Sequence, residues 1–240
     1  MCTVTYLPYK QGFILTHNRD EAPARSPHSI SRASIPGDTL LFPRDTKAGG
    51  AWFVSSRSGK TACLLNGAFV KHKHEPPYRR SRGLLLLDFF EWKDPNAFFR
   101  EYDFNGIEPF TLLLFGSTGQ EFRWDGMSGH LKHLPADQAL FWCSATLYPP
   151  DMQHIREQVF RDWLGRITPW RPDERKNLAG SIWRLHHQGS VGDPENDFIM
   201  NRSGRVQTVS ITQVVQNRDM TRMRYEDLLE NQGGKRQMVL

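Results

Sequence analysis

The sequence predicts an α+β fold in which helical layers lie outside a stack of sheets. Three observations carry this. The β-prone runs come in hairpin-like pairs, the helical segments also come in pairs, and the two kinds follow one another in blocks: strands, helices, strands, helices, strands. A doubly wound fold would alternate strand and helix one by one. No internal repeat is evident at periods of roughly 20 to 50 residues, and no low-complexity linker divides the chain. Residues 1–240 therefore read as one domain, with the weakest seam at Trp170-Arg171-Pro172-Asp173.

Cys2 to Leu7 is rich in Thr, Val and Tyr, and Gly12 to Thr16 in Phe, Ile and Leu, with Pro8-Tyr9-Lys10-Gln11 as a hairpin connection. The second run passes directly into His17-Asn18-Arg19-Asp20-Glu21. From Ala22 to Gly37, Pro, Ser and Arg recur without periodicity, which predicts a long loop. Leu40 to Pro43 is a short strand and Lys47-Ala48-Gly49-Gly50 a turn. Ala51 to Ser55 and Thr61 to Leu65 make a second hairpin across Ser56-Arg57-Ser58-Gly59-Lys60, ended by Asn66-Gly67, a dipeptide tolerant of positive φ.

Ser81 to Trp92 reads as a helix with Ser81 as N-cap; its apolar residues lie nearly all round, which predicts burial between layers. Pro95 to Tyr102 is a second helix with Pro in its first turn after Asp94. Phe110 to Phe115, Glu121 to Asp125, Leu131 to Leu134 and Leu140 to Ser144 are short strands between Gly, Ser and Asp turns. Helical spacing returns in Ile155, Val159, Phe160, Trp163 and Leu164 of Asp151 to Leu164, and in Leu178, Ile182 and Leu185 of Pro172 to His187. Phe198 to Met200, Val206 to Val215 and Met220 to Leu229 close the chain as strands, or as a strand and a frayed end.

Composition narrows the function. With 240 residues, 38% hydrophobic and 24% charged, the chain can bury a core without disulfide or metal staples and lacks the signature of disorder. The longest apolar stretch, Gly83 to Phe90, is far short of the roughly 20 residues that cross a bilayer. No basic segment precedes a hydrophobic one at the start, so no secretory signal and a cytoplasmic location are expected. The net charge of +5 permits an anionic small-molecule ligand but is not the clustered footprint of a nucleic-acid binder. Its densest run, Lys71 to Arg82, is broken by Pro76-Pro77 and reads as a surface or substrate-facing loop.

His72 with His74 and His186 with His187 lack a third partner at metal-ligand spacing, so no metal is expected. No cofactor motif stands either. Gly59-Lys60-Thr61 lies between strands, with Val54 where a phosphate loop begins with glycine. Gly189-Ser190-Val191-Gly192 follows a helix, where a nucleophile elbow follows a strand.

The three cysteines are widely spaced, which excludes a disulfide framework and paired-cysteine metal sites. Cys63 and Cys143 sit in apolar, strand-like contexts suited to packing. Cys2 differs. Removal of Met1, normal before a small second residue, would leave a cysteine with a thiol and a free α-amine. An α-amine titrates near about 7.7 to 8.0, so one residue would supply both nucleophile and general base. If the second strand returns antiparallel, residues 17 to 21 lie beside Cys2. Arg19 would then favour the thiolate, and Asp20 would orient the amine; an ordinary ion pair on a turn is the competing reading. Asn66 would offer an amide toward a developing oxyanion, or simply serve a turn.

Met1-Cys2-Thr3, Asn18-Arg19-Asp20-Glu21, Gly49-Gly50-Ala51-Trp52 and Leu64-Leu65-Asn66-Gly67, in this order and spacing, resemble the NRDE family, also called the Transport and Golgi organisation protein 2 family. Ser81-Arg82-Gly83, Cys143-Ser144-Ala145-Thr146-Leu147-Tyr148 and Met200-Asn201-Arg202 with Gln207-Thr208-Val209-Ser210 look like the form in bacterial members, so the resemblance spans nearly the whole chain. That family is similar to the N-terminal nucleophile hydrolases, which implies a four-layer αββα sandwich of two antiparallel sheets between helical layers.

By position the resemblance implies Cys2 as nucleophile, Arg19 and Asp20 as its electrostatic and amine-orienting partners, and Asn66 as an oxyanion donor, with Asn18 and Glu21 in support. Penicillin V acylases and bile salt hydrolases of this kind cleave amide C–N bonds. The later asparagine of those acylases has Ser144 as its nearest counterpart here, and the later arginine falls at Arg202. The activity implied is hydrolysis of a small-molecule amide without cofactor. The alternative is a non-catalytic carrier of haem or an acyl-lipid compound on the same scaffold.

Overall fold

The computed structural model describes residues 2–9, 12–25, 29–167, 175–229 and 234–240. Strands β1 (Cys2–Tyr9) and β2 (Gly12–Glu21) pair antiparallel from Cys2↔Arg19 to Tyr9↔Gly12. Positions 10 and 11 of the expected connection lie outside the described residues, as does the seam at 170–173. A single turn at Pro23–Arg25 precedes β3 (Ile30–Ile35), β4 (Asp38–Pro43), β5 (Phe53–Ser56) and β6 (Thr61–Asn66). Then come α1 (Arg82–Glu91), α2 (Pro95–Glu101), β7 (Phe110–Phe115), β8 (Gly119–Trp124), β9 (Gly129–Leu134) and β10 (Leu140–Cys143). The chain closes with α3 (Pro150–Ile167), α4 (Arg175–Gln188), β11 (Asn201–Arg202), β12 (Val206–Asn217), β13 (Thr221–Asp227) and β14 (Gly234–Val239).

Among the described residues the strands form two antiparallel sheets of seven. One runs β10-β1-β2-β12-β13-β14, with β11 beside β12; the other runs β3 to β9 in chain order. Strand alternation then builds the layers. Cys2, Val4, Tyr6, Phe13 and Leu15 of the first sheet meet Phe53, Cys63, Leu65, Leu113 and Phe115 of the second. Leu7 and Ile14 turn the other way, onto Phe160 and Trp163 of α3 and Leu178, Ile182 and Leu185 of α4. On the far side Val54, Ala62, Leu64, Leu112 and Leu114 meet Leu85, Leu86, Phe89 and Phe90 of α1 and Phe98 of α2. The molecule is thus a four-layer αββα sandwich.

Three expectations are corrected. The stretch from Ala22 to Gly37 is not one loop, because Ile30–Ile35 pairs with β4 across a turn at Gly37. Helix α1 is not buried all round: Leu85, Leu86, Phe89 and Phe90 are buried while Glu91 is exposed, so it forms an outer layer. Phe198 to Met200 is irregular, and the last strand of the chain is β14, beyond the expected frayed end.

Ser81 caps α1, its hydroxyl accepting from the Leu84 amide. The start of that helix rests against Gly50, where an added Cβ would fall 2.4 Å from the Gly83 carbonyl carbon. Next to this contact the Ala51 amide donates to the Gly83 carbonyl at 3.0 Å. The Gly49-Gly50-Ala51-Trp52 and Ser81-Arg82-Gly83 motifs are therefore two sides of one backbone contact. Gly50→Ala is expected to destabilise the fold by about 1–3 kcal/mol, read as a lower urea midpoint with unchanged slope. An unchanged midpoint would mean that the contact opens without cost.

Candidate active site

Cys2 and Arg19 face one another across β1 and β2, so their side chains share the face turned toward the second sheet. There they meet a cavity of about 650 Å³, whose lining includes Cys2, Arg19, Glu21, Asp45, Trp52, Asn66, Arg82 and Glu108. Only 2% of Cys2 is exposed.

The Arg19 guanidinium is held by its neighbours. It donates to Asp45 Oδ2 at 2.5 Å and to the Arg25 carbonyl at 2.6 Å, and lies 3.7 Å over the Trp52 ring. Asp45 is fixed in turn by the Lys47 and Ala48 amides. Burial disfavours the Asp45 anion, but the Ala48 amide, Arg19 and Arg25 outweigh it and hold the carboxyl below its ordinary range. Glu21 pairs with Arg25 at 3.0 Å. Burial pushes the Cys2 thiol up and Asp20 adds to this, while the N-terminal amine and, less strongly, Arg19 oppose it. Burial outweighs the guanidinium and favours the protonated form of the thiol.

Asp20 follows Arg19 by one residue and so points to the opposite face, away from the cavity lining. Its Oδ2 accepts from the Tyr148 hydroxyl at 3.0 Å and its Oδ1 from the Thr208 hydroxyl at 2.8 Å. The register shift between Thr208 and Ser210 lies opposite this pair of residues. Burial pushes the Asp20 carboxyl up, opposed chiefly by Arg156. Asn18 shares the Asp20 face and fastens α4 to the sheet. Its amide donates to the carbonyls of His186 and Phe198, and its Oδ1 lies 2.7 Å from His186 Nδ1.

Asn66 lines the cavity, and its carbonyl accepts from the Ser144 hydroxyl at 2.7 Å. The Ser144 amide donates to the Cys2 carbonyl at 2.9 Å. Ser144 thus ties the backbones of Cys2 and Asn66 together without itself lining the cavity. Gly67 has φ +81°, and a Cβ there would meet Thr146 Cγ2 at 2.8 Å, which explains Gly after Asn66. Arg202 stands away from the cavity, bracing Asn196 Oδ1 at 2.7 Å and the Leu147 carbonyl at 3.2 Å.

The family model of Transport and Golgi organisation 2 matches residues 1–159. The chain belongs to this family. No curated protein matches it. Solved structures do resemble it. A Caenorhabditis elegans N-acylethanolamine-hydrolyzing acid amidase ortholog aligns over 89% of this chain and 92% of its own, with TM-score 0.57 and 15% identity. Penicillin V acylase from Agrobacterium tumefaciens aligns over 96% and 84%, at 0.57 and 9%. A mutant conjugated bile acid hydrolase from Clostridium perfringens aligns over 99% and 92%, at 0.54 and 10%. At such identities the likeness shows the fold, that of the N-terminal nucleophile hydrolases.

In this member of the Transport and Golgi organisation 2 family the sequence reading missed Asp45, Glu108 and Arg156. Asp45 had a signal in its place at the turn before Gly49-Gly50. Glu108 gathers Arg82 at 2.9 Å and His72 and His74 at 3.0 Å each, contacts formed across the cavity from distant parts of the chain. Arg156 is an isolated arginine of α3 that nothing in its local sequence marks. Among the described residues no helix is long and apolar enough to cross a membrane.

Proposed function

We propose that this protein is an N-terminal-cysteine hydrolase of small-molecule amides, active once Met1 is removed. The observation that carries the reading is the convergence of Cys2, Arg19 and Asn66 on one cavity. A thiol that burial holds toward its protonated form fits a mechanism with its base on the same residue. The Cys2 α-amine takes the thiol proton, and the sulfur attacks the amide carbon. The Asn66 side-chain amide donates to the oxygen as it gains charge. Collapse breaks the C–N bond; the α-ammonium returns its proton to the departing amine and leaves a thioester. Water, deprotonated by the same amine, then attacks the thioester, and the thiol is regenerated with release of the acid. Asp20, held by Tyr148 and Thr208, orients the amine from behind the strand. The solved structures of this fold named above are those of an amidase ortholog, an acylase and a hydrolase, which supports the reading.

The carrier reading finds less support. Arg19, Glu21, Arg25, Asp45, Arg82 and Glu108 line the cavity with charge, which suits a compact polar amide better than a haem macrocycle or a long acyl chain. A panel of N-acyl amides tests the proposal. The processed protein is expected to hydrolyse at least one, and protein blocked at the Cys2 amine none. Equal turnover by the blocked protein would sink the free-amine mechanism, and a haem titration that shifts the Soret band would favour the carrier.

A further inference from the structure

Arg156 has the largest fully buried side chain of the described residues, yet the mechanism above does not use it. It reaches inward from α3 to the strand that carries the nucleophile. Its guanidinium donates to Thr3 Oγ1 at 2.5 Å, one residue from Cys2, and to the carbonyls of Asn196 and Asp197. It also lies 4.1 Å over the Tyr148 ring, whose hydroxyl donates to Asp20. A buried guanidinium is costly without a counter-charge, and the carboxylate that shares its Tyr148 partner is Asp20.

Resting on the hydrolase reading, we infer that Arg156 is a positioning residue for the Cys2 site. It supplies the buried positive charge that balances the Asp20 carboxylate, and through Thr3 it holds the nucleophile strand at a fixed place relative to that carboxylate. Two positive charges act on Asp20, Arg156 most strongly and then the N-terminal amine, and Arg156 is the one held in place by burial and by its bond to Thr3. Tyr148 and Thr208 are neutral donors, Cys143 of β10 and Cys2 of β1 are thiols raised by burial, and Arg202 gives its guanidinium to Asn196 and Leu147. The loss of a buried counter-charge would neutralise Asp20 by protonation, and a neutral carboxyl no longer attracts the Cys2 ammonium.

The test is a carbon-13 NMR titration of carboxyl-labelled aspartate in the processed protein, with Asp20→Asn to assign the signal. Asp20 in Arg156→Gln is expected to ionise at a pH at least about one unit above wild type, with Arg156→Lys, which keeps the charge, within about half a unit. A purely structural arginine would leave the Asp20 midpoint where it was, and equal midpoints in all three proteins would overturn the inference. If Arg156→Gln does not fold alone, the double variant Asp20→Asn/Arg156→Gln buries neither charge and should melt above Asp20→Asn; a double variant melting no higher would overturn it. Neither readout needs turnover. Shifted midpoints in a protein that hydrolyses no amide would discard the hydrolase reading and leave the Arg156–Asp20 relation supported.

Discussion

Cys2→Ala is expected to reduce amide turnover by a factor on the order of 10⁴ or more, the scale seen when a covalent nucleophile is removed. The substitution takes away the sulfur that must form the thioester, while the α-amine, Arg19 and Asn66 remain. Residual binding and oxyanion stabilisation cannot replace the missing bond. The fold should survive, because Cys2 lies at the end of β1 and removing its sulfur creates only a small void beside the cavity, a cost of about 1 kcal/mol. Cys63→Ala is the control. Cys63 is buried between the sheets, away from the cavity lining, and burial pushes its thiol well up. It should keep its activity at a similar cost in stability. Equal losses in the two variants would mean that damage to the core, not loss of the nucleophile, explains the effect.

Stability should fall steeply as pH drops from 6.5 to 5. His17 is fully buried between the sheets, edge-on to Phe53, and burial brings its pKa down to about 3. His186, clamped between Asn18 and Thr5, is likewise held well below its ordinary value, mainly by burial. An unfolded histidine binds its proton near about 6.5, whereas the folded ones do not, so below that pH the unfolded state binds more protons and folding weakens. Each histidine contributes roughly 1.4 kcal/mol per pH unit, or about 2 kcal/mol over this window. For His17 the loss continues to its folded value near 3. The depressed carboxyls of Glu21, Asp45 and Glu108 lose their contributions only at lower pH, and the raised Asp20 acts in the opposite sense. Urea unfolding at pH 7, 6 and 5 measures the slope. His17→Leu should remove about half of it, and a flat profile would mean that both rings take up protons in the folded state.

The block order of the fold was legible because its central strands are dense in Phe, Leu, Ile and Val. Strands β3 and β14 were not. Each lies at a sheet edge, and Ile-Ser-Arg-Ala-Ser-Ile and Gly-Lys-Arg-Gln-Met-Val carry the polar and charged residues that edges use against unwanted pairing. At the site, Cys2 beside Arg19 followed from the hairpin. The same hairpin also implied that adjacent Arg19 and Asp20 must point apart, a consequence of the period of two that the reading did not use. Ser144 bears on the site through its bonds to the backbones of Cys2 and Asn66, and Arg202 stands away from it, neither of which spacing reveals. Arg156 reaches Thr3 across 153 positions, so only the packed structure brings them together.

The measurement that bears most directly on Cys2 as nucleophile is peptide mapping after an electrophilic amide mimic is added to the purified protein, with the intact mass read first. The predicted result is a mass lacking Met1 and one adduct, on Cys2, with Cys63 and Cys143 unmodified and no labelling of Cys2→Ala. A protein that retains Met1, or an adduct on Cys143 with Cys2 untouched, would contradict the account.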